Sequence, residues 1–480
     1  MKDKIKELEA LSAKLEPSPE LRDAWNKQVQ DYAGRFIDSL PDDKGYKWPD
    51  QVRDWPQDCP IGDEPRDMEQ LLAILDREVD QVGLNPASGA HLAYIPGGGV
   101  FPTALGDYLA AVTNRYAGLY FANPGAVQLE NQLIRWMCGI VGYPEDALGN
   151  LASGGSIANL IAITTARDRL GIKPRVVESA VVYLTEQVHH CVHKALRIAG
   201  LGDAVMRTVP LDARFRMDAA ALRRQVEADK AQGLKPFLVV GSAGTTDTGA
   251  MDPLDRIADI AEEFGLWFHV DAAYGGFFVL LDDMKPLFKG IERSDSVAID
   301  PHKGLFLSYG LGAVLIKNVR AQYDSHYYRA NYMQDTLALV DEPSPADLSP
   351  ELTKHFRGLR MWMAIQLFGL APFKACLGEK RWLALYFYEE IQKRGFEAGP
   401  EPDLSVMIYR YVPESGDINE FNKKLVEELH RDGRIFVSST TIHGEFWIRL
   451  AVLSFRTHLD HIERLLVMIE EGVAKVKAAG

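Results

Sequence analysis

A lysine that follows a proline at the end of an apolar run is placed to do carbonyl chemistry. One stands in Asp295-Ser296-Val297-Ala298-Ile299-Asp300-Pro301-His302-Lys303-Gly304. The strand-like stretch 297–299 stops at an acid, and Pro301 then breaks the strand and holds the following residues in an extended turn. Lys303 is thereby presented at the carboxyl end of a strand, where open α/β sheets bind ligands. Among apolar neighbours its ammonium would lose hydration, favouring the neutral, nucleophilic amine that Schiff-base chemistry needs. By itself the decapeptide fits a surface lysine after a strand at least as well.

Four other stretches change that balance. Ser153-Gly154-Gly155-Ser156-Ile157-Ala158-Asn159 opens a helix whose free N–H groups, dipole and Ser156 hydroxyl suit an anion, or else form a glycine turn with a serine N-cap. Trp267-Phe268-His269-Val270-Asp271-Ala272-Ala273-Tyr274 is an apolar strand ending in an acid, where an uncompensated carboxylate is expensive and calls for a cation. Asp271 can pair with a charged ring nitrogen, cap a helix or bind a metal. Gln187-Val188-His189-His190-Cys191-Val192-His193 places an imidazole just past a strand. His189 can stack on a planar ring or fill a hydrogen-bonded site under the sheet, and with His193 it has the spacing of a zinc pair. No HExxH or second ligand cluster accompanies them, so no metal is expected. Ala243-Gly244-Thr245-Thr246-Asp247-Thr248-Gly249 brings hydroxyls and free N–H groups to the same sheet edge, or is a polar turn. An anion cradle, a stacking base, a carboxylate and a lysine are together the parts for pyridoxal 5′-phosphate.

The elements that must position these parts alternate regularly. The patterning predicts helix 156–170, strand 180–185, helices 190–199 and 218–232, strand 236–241, helix 253–264, strands 266–270 and 296–299, and a hairpin return over 312–317. Such alternation implies a mostly parallel sheet with helices on both faces. Residues 1–80 read as a helical arm, broken by a Pro/Asp/Trp-rich connection over 41–65, that packs on the main body or a partner subunit. Residues 81–369 form the large domain, and 370–480 form a smaller α+β unit with strands at 404–411, 435–440 and 445–451 between helices. The acidic, proline-bearing stretch 318–352 reads as an unstructured lid ending at a helix near Leu352.

The chain has 480 residues, 47 % hydrophobic and 25 % charged, with a net charge of −14 that argues against nucleic acid or an anionic membrane as partner. Four scattered cysteines, no apolar signal-peptide core and no membrane-length run make a reduced cytoplasmic enzyme the expectation.

SGGSIAN, HVDAAY, DPHK and HFRGLRMW, in this order, resemble the PLP-dependent group II decarboxylases, the family of aromatic-L-amino-acid and glutamate decarboxylases. The resemblance runs from about residue 65 to the C-terminus. It implies the aspartate-aminotransferase-like fold (type I), an α/β large domain with a smaller C-terminal domain, and a homodimer with active sites at the interface. By position, Lys303 would carry the cofactor, Asp271 would pair with its ring nitrogen and His189 would stack on the ring. Gly155, Ser156 and His302 would hold the phosphate, with Ala273 against the ring and Thr246 beside it. Tyr332, in Asn331-Tyr332-Met333, matches a mobile-loop tyrosine that acts in protonation, with Tyr327 and Tyr328 as rival placements. Arg357 falls in the motif that closes the loop. Where the family usually has tryptophan the chain has Gly304, and Pro96-Gly97-Gly98-Gly99 is richer in glycine than the aromatic segment expected there. Both are expected to leave room in the substrate pocket. The implied activity is decarboxylation of an L-amino acid to the amine, with an aromatic side chain favoured. An aldehyde-forming oxidative decarboxylase-deaminase and a decarboxylase for an acidic amino acid such as glutamate are the alternatives.

Overall fold

The computed structural model describes residues 1–48, 55, 59–328 and 342–479. Its centre is a seven-stranded sheet built from β1 (Leu148–Ala152), β2 (Ala180–Leu184), β3 (Val205–Thr208), β4 (Lys235–Ser242), β5 (Trp267–Asp271), β6 (Ser296–Ile299) and β7 (Gly312–Ile316). The spatial order is β1-β7-β6-β5-β4-β2-β3, and β7 alone runs antiparallel to its neighbours. Alternate residues go to opposite faces. Val181, Tyr183, Val239, Val270, Val297 and Ile299 join one core, and Val182, Leu184, Leu238, Val240, Ala298 and Val314 join the other. Each such side chain contributes about 1.5–3 kcal/mol on burial, so strand register is strongly fixed and with it the position of every strand end.

The sequence reading does not contain two strands of this sheet. β1 reads Leu-Gly-Asn-Leu-Ala, poor in β-branched residues, yet a Cβ at Gly149 would fall 1.9 Å from the Val314 carbonyl oxygen. Close approach of β7, not propensity, selects that glycine. β3 is a short edge strand with a half-exposed side-chain pattern.

The C-terminal region adds a four-stranded antiparallel sheet of β8 (Phe396–Ala398), β9 (Val406–Tyr411), β10 (Ser438–Ile442) and β11 (Glu445–Ala451), ordered β8-β9-β11-β10. Helix Ala371–Lys393 serves both regions. Its Phe373 and Leu377 lie in the large core, and Leu383, Ala384, Phe387 and Ile391 lie in the C-terminal one. The expected lid is more structured than its composition suggests. Helix Val319–His326 is capped by the Asn318 side chain, and its His326 ring meets Thr164 Oγ1 at 3.2 Å. The helix expected near Leu352 starts at Gly358. The preceding residues are instead tied down by the buried Lys354–Glu130 ion pair and by Arg357, whose guanidinium donates to Glu351 at 2.8 and 3.0 Å.

Among the described residues no single helix is long and apolar enough to cross a membrane. The N-terminal helices Lys2–Ser12 and Pro19–Ser39 bury no residue at all.

Candidate active site

The parallel strands end at one cavity of about 430 Å³, and the wall draws on each stretch singled out above: 153–156 with Asn159, Gln187 with His189 and Cys191, Ser242 with 244–246, Asp271 with Ala273 and Tyr274, and Asp300 with His302 and Lys303. Tyr309 and Gly310 complete it. Lys303 sits on the short helix Pro301–Gly304 that follows β6, and its Nζ lies 3.0 Å from Asp300 Oδ2. This corrects the expectation of a neutral lysine. Burial pushes the ammonium down, but the charges of Asp300 and Asp271 outweigh it and leave Lys303 above the ordinary lysine value.

Asp271 ends β5, 7 % exposed, with Oδ1 accepting from the Ala273 N–H at 3.1 Å. Burial raises its pKa, while the Lys303 charge, the Ala273 N–H and the Asn159 side chain all favour the carboxylate. Behind it runs a buried chain. Trp267 Nε1 donates to Ser296 Oγ at 2.8 Å, Ser296 Oγ meets His269 Nδ1 at 2.8 Å, and His269 Nε2 meets Asn159 Oδ1 at 2.7 Å. Asn159 Oδ1 can only accept, so His269 donates from Nε2, and Nδ1 of its neutral ring accepts from the Ser296 hydroxyl. Asn159 then turns its NH₂ toward the Gly155 carbonyl, which accepts at 2.8 Å.

His189 accepts from the Cys191 N–H through Nδ1 at 3.3 Å, as N-cap of helix His190–Ile198. Burial first, then the charges of His190 and Lys303, depress its pKa to about 4, so the ring is neutral near pH 7. Helix Gly155–Arg169 has Gly154, not Ser156, as N-cap, and no side chain caps it. Its first N–H groups are therefore left for a ligand. The cradle is tight: a Cβ at Gly155 would stand 3.0 Å from Asp300 Oδ2, and one at Gly312 2.6 Å from the Gly154 backbone. His302 donates from Nδ1 to the Leu311 carbonyl at 2.6 Å, with Nε2 3.8 Å from Asp300 Oδ2. Thr246 lines the cavity while its carbonyl accepts from Arg449 Nε at 2.8 Å.

Residues 49–412 match the model of the pyridoxal-dependent decarboxylase conserved domain. The chain belongs to the pyridoxal-dependent decarboxylase family. It is 33 % identical over 418 residues to an aromatic-L-amino-acid decarboxylase of Bacillus atrophaeus, covering 85 % of this chain and 86 % of that one. It is 29 % identical over 421 residues to an L-2,4-diaminobutyrate decarboxylase of Acinetobacter baumannii, covering 82 % and 81 %. The fold also matches Catharanthus roseus tryptophan decarboxylase, solved with L-tryptophan, at a TM-score of 0.88 and 24 % identity, covering 96 % of this chain and 99 % of that one. As a decarboxylase of this family the protein acts on an amino acid with pyridoxal 5′-phosphate as cofactor. The cavity fits that group: an uncapped helix start meets glycines at which a Cβ would collide, a buried carboxylate stands at a strand end, and a lysine lies between them.

One expectation about pocket space does not hold. A Cβ at Gly304 would fall 2.8 Å from Phe277 Cβ, so the position is packed, not empty. Gly97, Gly98 and Gly99, by contrast, border a second cavity beside Tyr309, although a Cβ at Gly97 would be 2.5 Å from the His302 carbonyl oxygen and Gly98, at φ 92°, faces Ser454. Gly304 and Gly97 each let two chain segments approach closely. Tyr327 stacks on Tyr323 with centroids 4.5 Å apart and Tyr328 is exposed; neither lines the cavity. Tyr332 lies outside the described residues.

Sequence reasoning gave no role to Asp300, Asn159 or Tyr309. Asp300 had a usable signal, since an acid three residues before a lysine meets it on one face of a helical turn. Asn159 and Tyr309 are placed by tertiary packing, which no local spacing announces.

Proposed function

We propose that this enzyme decarboxylates an aromatic L-amino acid to the corresponding amine, with Lys303 as the cofactor lysine. The carrying observation is a second cavity, about 330 Å³, that adjoins the first at Tyr309. Phe36, Val79, Leu84, Pro86 and Leu307 line it, and among its described lining residues there is no lysine, arginine or histidine. A distal carboxylate would find no cation on the wall, since the adjacent Arg456 guanidinium donates to the Ala87 and Gly98 carbonyls at 3.0 and 2.7 Å; it would face Asp80, whose Oδ2 already accepts from the Tyr32 hydroxyl. An aromatic side chain gains from the apolar wall.

The cofactor, when bound, supplies an electron sink for the bond that releases CO₂. The 155–156 helix start and His302 would hold its phosphate, Asp271 would keep its ring nitrogen charged, neutral His189 and Ala273 would pack on its ring, and Thr246 would line its site. Orientation of the substrate carboxylate is the task left to these groups. Tyr332 delivers the proton to Cα once CO₂ has left, and the Arg357–Glu351 pair anchors the chain that carries it. We also assign the arm to a homodimer interface, because Ile5, Leu8, Leu11, Leu15 and Trp25 on its helices stand exposed and a second copy of the chain would cover them.

Specificity constants for tryptophan, tyrosine and phenylalanine against glutamate and 2,4-diaminobutyrate test the substrate. The aromatic substrates are expected to lead by about tenfold or more, a difference of about 1.4 kcal/mol. Preference for glutamate or diaminobutyrate would reverse the assignment.

A further inference from the structure

The HFRGLRMW stretch holds a second arginine that has no part in the proposed decarboxylation. Arg360 stands on helix Gly358–Phe368 and is 8 % exposed. Its Nε donates to Asp107 Oδ1 at 2.7 Å, and its Nη1 donates to the Tyr309 carbonyl at 2.6 Å. Asp107 belongs to helix Pro102–Thr113, which packs on Arg360 at backbone distance: a Cβ at Gly106 would fall 2.6 Å from Arg360 Cα. The carboxylate thus offsets the guanidinium charge and fixes its plane. A rigid fork held at Nε aims its Nη1 in one direction.

Tyr309 is where the two cavities meet, and no other described residue lines both. Its ring meets the His302 ring edge-on, with centroids 5.7 Å apart. Burial raises the pKa of its phenol, and the charge of Lys303 pulls the other way. The chain on either side has anchors of its own. Ser308 Oγ lies 2.6 Å from Thr103 Oγ1, and the Leu311 carbonyl accepts from His302 Nδ1. Between them, the donation from Arg360 is the one hydrogen bond to Tyr309 among the described residues, its phenol included. Gly310 follows at φ 95°, where a glycine carries little strain and leaves the backbone free to swing. The place of the Tyr309 ring therefore depends on its backbone, and that backbone depends on Arg360.

We propose that Arg360 is a positioning residue for substrate selection, holding Tyr309 as the partition between the cofactor cavity and the side-chain cavity. The proposal rests on the second cavity receiving the substrate side chain. A substrate whose Cα stands in the first cavity must lead its Cβ and the atoms beyond past Tyr309 to enter the second. The ring then sets how broad a side chain passes and how Cα is turned. Arg360 itself lines neither cavity. Its loss therefore acts on substrates according to their side chains and leaves the cofactor held. An arginine that only tied two helices together would affect every substrate alike.

Arg360→Gln tests this closely, because the glutamine amide nitrogen falls where Arg360 Nε stands, beside Asp107 and two bonds short of the Tyr309 carbonyl. Specificity constants for the two best amino-acid substrates are measured on holoenzyme of wild type, Arg360→Gln, Tyr309→Ala and the double variant. Arg360→Gln is expected to change their ratio at least about fivefold, with KM moving more than kcat and cofactor affinity within about twofold of wild type. Tyr309→Ala is expected to change the ratio as well, and Arg360→Gln to add nothing in that background, since a residue acting through another is not additive with it. An unchanged ratio in Arg360→Gln overturns the proposal, and so does an equal loss for both substrates. A shift that persists undiminished in the Tyr309→Ala background also overturns it. Glutamate or diaminobutyrate at the head of the wild-type ranking overturns the aromatic assignment instead, and the ratio still reads whether Arg360 acts through Tyr309. Should Arg360→Gln not fold, Arg360→Met, which places no new polar group against Asp107, is read by the same comparison.

Discussion

The two adjoining cavities are built on opposite principles. The one around Lys303 is walled by charged and hydrogen-bonded groups on strand ends and helix starts, each held by a second group behind it: Asp271 by Ala273 and Asn159, His302 by Leu311 and Lys303 by Asp300. The one beyond Tyr309 is walled mainly by apolar side chains and glycines from the N-terminal arm and from turns, with Asp80, Asn85 and Ser308 as its polar members. The first is preorganised for one cofactor, whose charges change little from one relative to another. The second, as the proposed side-chain pocket, would select by shape and hydration, which a few substitutions can alter. Relatives at similar identity, a decarboxylase of aromatic amino acids and one of diaminobutyrate, fit that division.

The sharpest way to break the comparison is at Asp271. Asp271→Asn keeps the size of the side chain and leaves Lys303 and the cradle to retain the cofactor, but removes the buried charge. We expect the yellow cofactor to remain bound and kcat to fall by about 10²–10³, as when a single preorganised electrostatic group is lost. Near-normal turnover would reduce Asp271 to a strand-end cap.

Tyr332→Phe comes next. Without its phenol, the proton for Cα arrives late and dioxygen can oxidise the electron-rich centre to aldehyde, ammonia and peroxide. Amine yield is expected to drop several-fold with aldehyde rising in step, while Tyr327→Phe and Tyr328→Phe behave as wild type. Counting amine, aldehyde and peroxide for the three variants checks it, and an unchanged amine yield in Tyr332→Phe removes the assignment.

How much of this was legible in the sequence follows the same division. The strand ends were readable because hydrophobic runs stop at acids, prolines and glycines, and because Lys303, Asp271, Gly155 and His189 each sit within a few residues of such a stop. β1 was missed because Gly149 is chosen by the approach of the Val314 carbonyl rather than by propensity. The role of Gly304 was misread for the opposite reason. A missing side chain was taken for space, whereas Phe277 fills it from a segment 27 positions earlier in the chain. That difference is measurable. Gly304→Ala forces a Cβ to 2.8 Å from Phe277 Cβ, inside the large core. Overpacking of this kind costs about 1–3 kcal/mol, so a lowered denaturation midpoint is expected, with substrate preference unmoved. Unchanged stability with altered preference would restore the open-pocket reading.

The smallest expected effect concerns His302. Its Nδ1 hydrogen bond to the Leu311 carbonyl, 2.6 Å long, fixes the proton on Nδ1, because a carbonyl only accepts. In the neutral ring Nε2 is then a bare acceptor and cannot hold a phosphate oxygen. Burial first, and then the Lys303 charge against the opposing pull of Asp300, keep the pKa of the free enzyme below the ordinary histidine value. An anion beside Nε2 favours the imidazolium and raises that pKa. Anion binding must therefore take up a proton between the two values. Affinity is greatest below the free-enzyme pKa, falls by up to about tenfold per pH unit above it, and levels off above the pKa of the bound state. Sulfate, which does not titrate in this range, isolates the effect from the ionisation of phosphate itself. Calorimetry of sulfate binding in buffers of different ionisation heat should count close to one proton taken up near pH 7 by the cofactor-free wild type and close to none by His302→Gln, whose amide donates without titrating. Equal proton uptake in wild type and His302→Gln would place the titrating group elsewhere in the cradle.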